Sequence, residues 1–146
     1  MSMKEQIIHI DGADKTGKDT IRDLLVKQSQ GKHLVYVRSY ISQIVYNRIY
    51  GRAIDEEYFW QRFKEDYDKG DLFLLFVCSK DIVSERFIKN DEQDLDIKDY
   101  YEHAMMFVTV VTEARNRGIM IPIVDTSTIT VEQTLEYINN IISINA

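Results

Sequence analysis

The sequence has little of what secreted, membrane-spanning or unstructured chains require. Its one cysteine, Cys78, cannot form a disulfide within the chain, so a reducing, cytoplasmic setting is expected. The opening residues, MSMKEQIIHIDG, turn polar early, and no apolar stretch approaches the roughly 20 residues of a membrane helix, so neither a signal peptide nor a membrane span is expected. One proline and six glycines leave few helix breakers, which predicts a high helix content.

Positive charge is also scarce. The 18 basic and 24 acidic side chains give a formal net charge of −6, whereas a protein that coats nucleic acid needs a net basic face. Small molecules rather than nucleic acid are therefore the expected partners, and a local basic pocket stays compatible with this charge. Hydrophobic residues make up 45% of the 146 positions, an ordinary globular mixture that predicts one domain over 1–146 with a single core.

Short apolar runs alternate with segments of helical period along the chain. The predicted strands are 7–11, 33–37, 72–78 and 119–124. The predicted helices are 20–30, 39–50, 55–69, 81–89, 100–117 and 130–143, and the polar, acidic segment 90–99 is expected to be a loop. Asp55 is expected to cap the third of these helices, and Thr130 with Gln133 is expected to form a capping box at the start of the last. Strands that alternate with helices indicate an α/β fold, with a mostly parallel sheet between two layers of helices.

A G-x-x-x-x-G-K motif lies between the first predicted strand and the first predicted helix. Gly12 and Gly17 let the backbone turn inward so that its N–H groups face an anion, and the helix N-terminus adds positive potential. Lys18 can reach the β- and γ-phosphates of a nucleotide. The pattern favours a phosphate-binding loop, and the alternative is a plain strand-to-helix turn whose lysine faces solvent.

Asp19 departs from the usual form of this motif, in which Ser or Thr follows the lysine and holds Mg²⁺. Thr20 comes next, but its side chain points to another side of the predicted helix. A carboxylate at position 19 can bind Mg²⁺ directly as a hard oxygen ligand, or it can repel the β-phosphate where no metal is present. Asp19 is therefore the candidate metal ligand, with both interpretations left open.

The motif and its neighbours resemble the phosphate loop of the thymidylate-kinase family of nucleoside monophosphate kinases, above all its compact, phage-type members. The family loop reads roughly G-x-D-[RK]-x-G-K-[ST]-T, and this chain matches it at Gly12, Asp14, Lys15, Gly17, Lys18 and Thr20. The resemblance implies a P-loop three-layer sandwich with a short sheet of about four strands, ATP and Mg²⁺ as cofactors, and a homodimer formed through helices.

The resemblance also implies a role for each residue of the loop. Asp14 would approach the sugar and phosphate of the monophosphate, and Lys15 would stabilise the transferring phosphoryl group. ATP would be held by Gly12, Asp14, Lys15, Thr16, Gly17, Lys18, Asp19 and Thr20.

A second match follows the second predicted strand. The family has an acid, an arginine and a Tyr, Phe or Ser there, then a helix with a serine and a tyrosine nine residues after the acid. Here Arg38 would grip the acceptor phosphate, Ser42 would join the monophosphate site and Tyr46 would lie against the base. The alternatives are a surface arginine and a core aromatic. Val37 replaces the acid, so the metal-binding carboxylate has either moved to Asp19 or been lost.

Two weaker matches concern the ATP side. The segment 81–89 resembles the helix that leads into a lid near 87–99, which would bring Arg86, and with it Lys89, over the ATP phosphates. A strand that ends in Asp125 and Thr126 commonly lies beside the adenine in this fold, through backbone contacts only. The alternatives are solvated charges for the lid residues and a helix N-terminal turn for Asp125.

The resemblance implies phosphoryl transfer from ATP to a nucleoside monophosphate, with dTMP as the expected kind of acceptor. Lys18, Lys15, Arg38 and Arg86 would neutralise the moving charge. No general base is needed because the acceptor is already ionised, so the three histidines are expected to be structural. The alternatives are a nucleotide-binding protein without turnover, a kinase acting on DNA, which the acidic charge disfavours, and a plain structural α/β domain.

Overall fold

The computed structural model describes residues 5–13, 16–79, 82 and 95–144, and for 95–99 it describes the backbone alone. The strands are β1 (Ile7–Asp11), β2 (Leu34–Val37), β3 (Leu72–Val77) and β4 (Ile123–Asp125). The helices are α1 (Lys18–Gln28), α2 (Tyr40–Ile49), α3 (Glu56–Asp68), α4 (Leu95–Asn116) and α5 (Val131–Ile144). The predicted helix over 81–89 lies outside the described residues, apart from Ile82.

The four strands form one parallel sheet in the order β2-β1-β3-β4. Ile10 of β1 is level with Val37 on one side and with Leu74 on the other, and Val77 of β3 is level with Asp125. Because all four strands run in the same direction, their C-terminal ends lie at one edge of the sheet, which we call the carboxyl edge. We call the opposite edge, where the strands begin, the amino edge. The predicted four-stranded α/β sandwich is confirmed.

Strand β3 is buried on both of its faces, as its unbroken apolar sequence predicts for a central strand. Phe73 and Leu75 point into a core shared with α2, α3 and α4. Leu74 and Phe76 point into a second core shared with α1 and α5. The sheet is thus the middle of three layers, and its loops at the carboxyl edge rest on a rigid base.

Helix starts follow the predicted capping residues. Asp55 accepts a hydrogen bond from the Glu57 backbone N–H (3.1 Å) at the start of α3. At the start of α5, the Gln133 N–H donates to the Thr130 hydroxyl (3.1 Å) and the Thr130 N–H donates to the Gln133 side-chain oxygen (2.8 Å). This reciprocal pair is the expected capping box.

Two predicted boundaries are wrong. The strand expected over 119–124 pairs only at Ile123–Asp125. Pro122 accepts a hydrogen bond from the Leu75 N–H (3.0 Å) but has no N–H to donate, so regular pairing begins after it. The polar loop expected over 90–99 gives way to helix at Leu95, since solvated charges do not interrupt a helix. Among the described helices, none combines the length and hydropathy required to cross a bilayer.

Candidate phosphate-binding site

The connection between β1 and α1 folds back on itself at the carboxyl edge. We call residues 12–17 the phosphate loop; Asp14 and Lys15 within it lie outside the described residues. Thr16 is buried and its hydroxyl donates to the Ala13 carbonyl (2.9 Å). Gly17 has φ +92° and directly precedes α1. The chain therefore turns between Ala13 and α1, and the first N–H groups of that helix lie at the end of the loop.

Gly12 is required at its position because β3 passes close to it. Its φ is +148°, and a Cβ there would lie 2.4 Å from the Phe76 carbonyl oxygen. No side chain fits such a gap without moving the backbone of one strand. The glycine therefore sets the distance between the loop and the central strand.

Lys18 closes the loop. Its amine donates to the carbonyl oxygens of Gly12 (2.6 Å) and Ala13 (2.7 Å), and only 9% of the residue is exposed. The charged amine is thus held over the first residues of the loop by two neutral acceptors. A phosphate oxygen would be a stronger partner, since hydrogen bonds between charged groups are roughly twice as strong as neutral ones.

Asp11 lies at the end of β1 and is fully buried, and the sequence reasoning missed its role. One carboxylate oxygen accepts from the Ser39 N–H (2.7 Å), the Ser42 N–H (3.1 Å) and the Ser42 hydroxyl (2.6 Å), and the other accepts from the Ser39 hydroxyl (2.5 Å). The carboxylate therefore stabilises the N-terminus of α2. The Ser42 hydroxyl, predicted at the monophosphate site, is bonded to Asp11.

Arg38 precedes this cap and has an unusual backbone. Its φ is +76°, which is uncommon for a side chain other than glycine. Its N–H donates to the Ile10 carbonyl (3.0 Å), and its side chain is exposed. The bonds from Ser39 to Asp11 hold this conformation. The structure thus brings Arg38 to the same edge as the phosphate loop, in a strained state of the kind that often occurs at functional sites.

Tyr46 lies in an aromatic cluster between α2 and α4. Its ring meets Phe107 edge-on (5.9 Å between centroids) and His103 edge-on (5.5 Å), and it stacks on Tyr50 (5.9 Å). This half-buried packing resembles the core-aromatic alternative, and the contact with a base stays a prediction. Arg86 and Lys89 lie outside the described residues, as does the predicted lid before Leu95.

Asp19, the candidate metal ligand, does not lie in a cluster of described carboxylates. The Asp19 side chain is 75% exposed and lies 3.1 Å from Arg22 on the outer surface of α1. Both oxygens of Asp11 are engaged by four donors. In the described part of the chain, no group of three or more His, Cys, Asp or Glu side chains is suitably placed for a metal.

Two cavities differ in their relation to the phosphate loop. A small one of about 180 Å³ adjoins Ala13 and is lined mainly by apolar residues of β3 and α4, among them Val77, Phe107 and Val108. A larger one of about 480 Å³ lies at the amino edge, near Leu72. Ligands of parallel α/β sheets bind outside the carboxyl ends of the strands. The small cavity is therefore the one relevant to the candidate site.

No family model and no curated protein sequence matches the chain. Among solved structures, the chain is similar to the YorR protein from Bacillus subtilis in complex with phosphorylated GDP, with a TM-score of 0.76, 12% identity and coverage of 95% of this chain and 96% of that one. It is also similar to thymidylate kinase from Candida albicans, with a TM-score of 0.69, 17% identity and coverage of 99% and 94%. The expected thymidylate-kinase-like fold is confirmed.

Proposed function

We propose that the chain binds ATP on the phosphate loop and transfers its γ-phosphoryl group to a nucleoside monophosphate of the dTMP kind. The observation that carries this proposal is the Lys18 amine, held at the start of a loop that ends at the N-terminus of α1. Backbone N–H groups and a confined ammonium are what a polyphosphate requires. A solvent-facing lysine, the competing interpretation, would not be 9% exposed.

The chemistry asks for position and charge rather than for a base. An oxygen of the acceptor monophosphate attacks the γ-phosphorus, the bond from that phosphorus to the β–γ bridging oxygen breaks, and ADP leaves. The acceptor is already ionised near pH 7, so no proton has to be removed. Lys18 would leave its two carbonyl partners and follow the phosphates. Lys15 and Arg86 complete the set of cations in this proposal.

Arg38 would hold the acceptor phosphate. Its backbone is fixed at the carboxyl edge by the Ile10 carbonyl on one side and by the Asp11 cap on the other. Its exposed guanidinium is a planar group that can bind two phosphate oxygens at once. The apolar cavity beside Ala13 would take part of the acceptor nucleoside. An exposed arginine and an apolar cavity at the same edge of the sheet support a small phosphate-bearing molecule as acceptor.

A second candidate function is nucleotide binding without turnover. Val37 stands where an acid would help to organise Mg²⁺, and Asp19 faces outward beside Arg22. Since Mg²⁺ is usually held by one or two carboxylates together with the phosphates, these two positions favour a protein that keeps ATP intact.

The test is ADP release from ATP with a panel of deoxynucleoside monophosphates, with and without Mg²⁺. We expect ADP with dTMP or a close analogue. Lys18→Met should abolish the release, while Lys27→Met, which removes an exposed lysine later in α1, should leave it unchanged. ATP binding without ADP formation on any acceptor would support the second candidate, and the absence of any ATP binding would exclude both.

A further inference from the structure

The turn after β4 is bonded to the phosphate loop by a side chain rather than by backbone alone. Thr126 follows β4 directly, and its hydroxyl donates to the Thr16 carbonyl (2.9 Å) and lies 3.3 Å from the Val77 carbonyl. Its N–H donates to the Val77 carbonyl (2.8 Å). Thr126 is 7% exposed and Thr16 is 1% exposed. One buried threonine therefore joins β4, β3 and the loop.

The other described side-chain bonds of the loop stay within residues 12–18. Thr16 donates to the Ala13 carbonyl, and Lys18 donates to the carbonyls of Gly12 and Ala13. The two lysine bonds have to break when the amine turns to a phosphate. The bond from Thr126 does not involve the lysine, so it persists through that exchange. It also lies next to Gly17 and Lys18, whose N–H groups begin α1.

We infer that Thr126 is a positioning residue: its hydroxyl fixes the C-terminal half of the phosphate loop, at Thr16, so that the loop keeps its shape when Lys18 moves to a bound triphosphate. The positioning role depends on the proposed function in one respect only, namely that the bound ligand is a triphosphate. The neighbouring residue reinforces the same turn, because the Ser127 hydroxyl accepts from the Ser79 N–H (2.7 Å) just after β3.

The experiment uses two isosteric substitutions. Thr126→Val keeps the shape of the side chain but removes the hydroxyl. The buried Thr16 carbonyl then loses the hydrogen bond that this hydroxyl donates. Thr134→Val is the matched control: Thr134 is 2% exposed, and its hydroxyl donates to the Thr130 carbonyl at the same distance of 2.9 Å, but within α5 and without contact to the loop. Thr126→Ser restores the hydroxyl.

Two measurements are made on each protein: amide hydrogen exchange at Thr16, Gly17 and Lys18 without ligand, and affinity for inorganic tripolyphosphate and for ATP. We expect Thr126→Val to speed exchange at these amides about tenfold and to weaken both affinities about tenfold, which corresponds to ~1.4 kcal/mol. Thr126→Ser should recover both values, and Thr134→Val should change neither.

Each outcome decides the inference. Equal behaviour of Thr126→Val and Thr134→Val would overturn it, and so would weaker binding without faster exchange, because the hydroxyl would then act elsewhere than on the loop. If the unaltered protein binds neither tripolyphosphate nor ATP while Thr126→Val still speeds exchange at the three amides, the positioning role stands and the proposed function fails.

Discussion

Asp11 at the carboxyl edge and His33 at the amino edge are both buried, but their side chains differ in hydrogen bonding. At the carboxyl edge, Asp11 has no exposed surface, and both of its oxygens accept hydrogen bonds from Ser39 and Ser42. At the amino edge, just before β2, His33 is 2% exposed, and neither of its ring nitrogens has a partner among the described residues. One polar group is stabilised by specific donors, and the other is simply removed from water.

This difference shows where the chain maintains a fixed arrangement. Burial of a polar group costs free energy unless hydrogen bonds replace those to water. The carboxyl edge meets that cost with bonds that also fix Arg38 and the start of α2. Among the described residues, no group bonds to the His33 ring to offset that cost, and no residue of the proposed site lies at the amino edge. The following changes test whether the two edges differ in function as well as in construction.

The largest effect is expected from Asp11→Ala. It leaves two serine hydroxyls and two backbone N–H groups without their acceptor, and buried unpaired groups cost about 1–3 kcal/mol each before relaxation. We expect the free energy of unfolding in urea to fall by about 3 kcal/mol or more. The control is Asp23→Ala, because the Asp23 carboxylate is 71% exposed and, among the described residues, bonds only to Arg22. A loss similar to that of the control would show that the Asp11 cap does not stabilise the fold.

A glycine from each edge gives the second test. Gly12 and Gly31 both have positive φ, but a Cβ at Gly12 would meet the Phe76 carbonyl, whereas one at Gly31 would meet nothing within 4 Å. Gly31→Ala should cost about 1–2 kcal/mol for the left-handed backbone alone. Gly12→Ala should cost about 2 kcal/mol more and should abolish ATP binding, measured by calorimetry. Equal losses from both variants would contradict the close approach of β3 to the loop.

Features of the fold and of the candidate site could be predicted from the sequence where the interacting residues are close together in the chain. The strand–loop–helix around Gly12, the buried β3 and the caps at Asp55 and Thr130 are local signals, and the structure confirms them. The Asp11 cap joins residues 28 and 31 positions apart. No local pattern predicts such a pair, although an acid at a strand end and serines three apart at a helix start are the signal that was available.

Asp19 shows a second limit. Its place beside Lys18 in the motif indicates a metal ligand, but the direction of its side chain depends on the phase of α1. In the structure that phase points it outward to Arg22, three residues later. The motif therefore predicted the loop and its lysine, while the position of the carboxylate relative to the phosphates required the fold.

His33 provides the third test, through pH. Burial lowers the pKa of His33 below its usual value of 6.5, so the folded state binds fewer protons than the unfolded state. The free energy of unfolding therefore has its full value above pH 6.5, and it decreases as the pH falls through that value because the unfolded state takes up a proton that the folded state does not. We expect the thermal midpoint to drop between pH 7.5 and 5.5, and His33→Phe to flatten this drop. His103→Phe keeps His33 and should keep the drop; an unchanged profile in His33→Phe would show that another group is responsible.

The smallest effect is expected at Arg38 (φ +76°) and Gln30 (φ +55°), one at each edge, which are the two residues other than glycine with positive φ in the described part of the chain. A left-handed backbone costs about 1–2 kcal/mol for a residue that carries a side chain. Glycine removes this cost, but it makes the unfolded chain more flexible, which lowers the free energy of unfolding by about 0.5–1 kcal/mol. Both Arg38→Gly and Gln30→Gly should therefore raise the free energy of unfolding by about 0.5 kcal/mol.

The two variants should differ in binding. Arg38→Gly should lose most of its affinity for dTMP in a calorimetric titration, because the group proposed to hold the acceptor phosphate is gone. Gln30→Gly should bind dTMP as the unaltered protein does, because Gln30 lies at the amino edge, away from the proposed site. If Arg38→Gly gains stability and still binds the monophosphate normally, the strain at Arg38 serves the fold of α2 and not the acceptor. The strained residue at the carboxyl edge would then have no role in binding, as is expected of the strained residue at the amino edge.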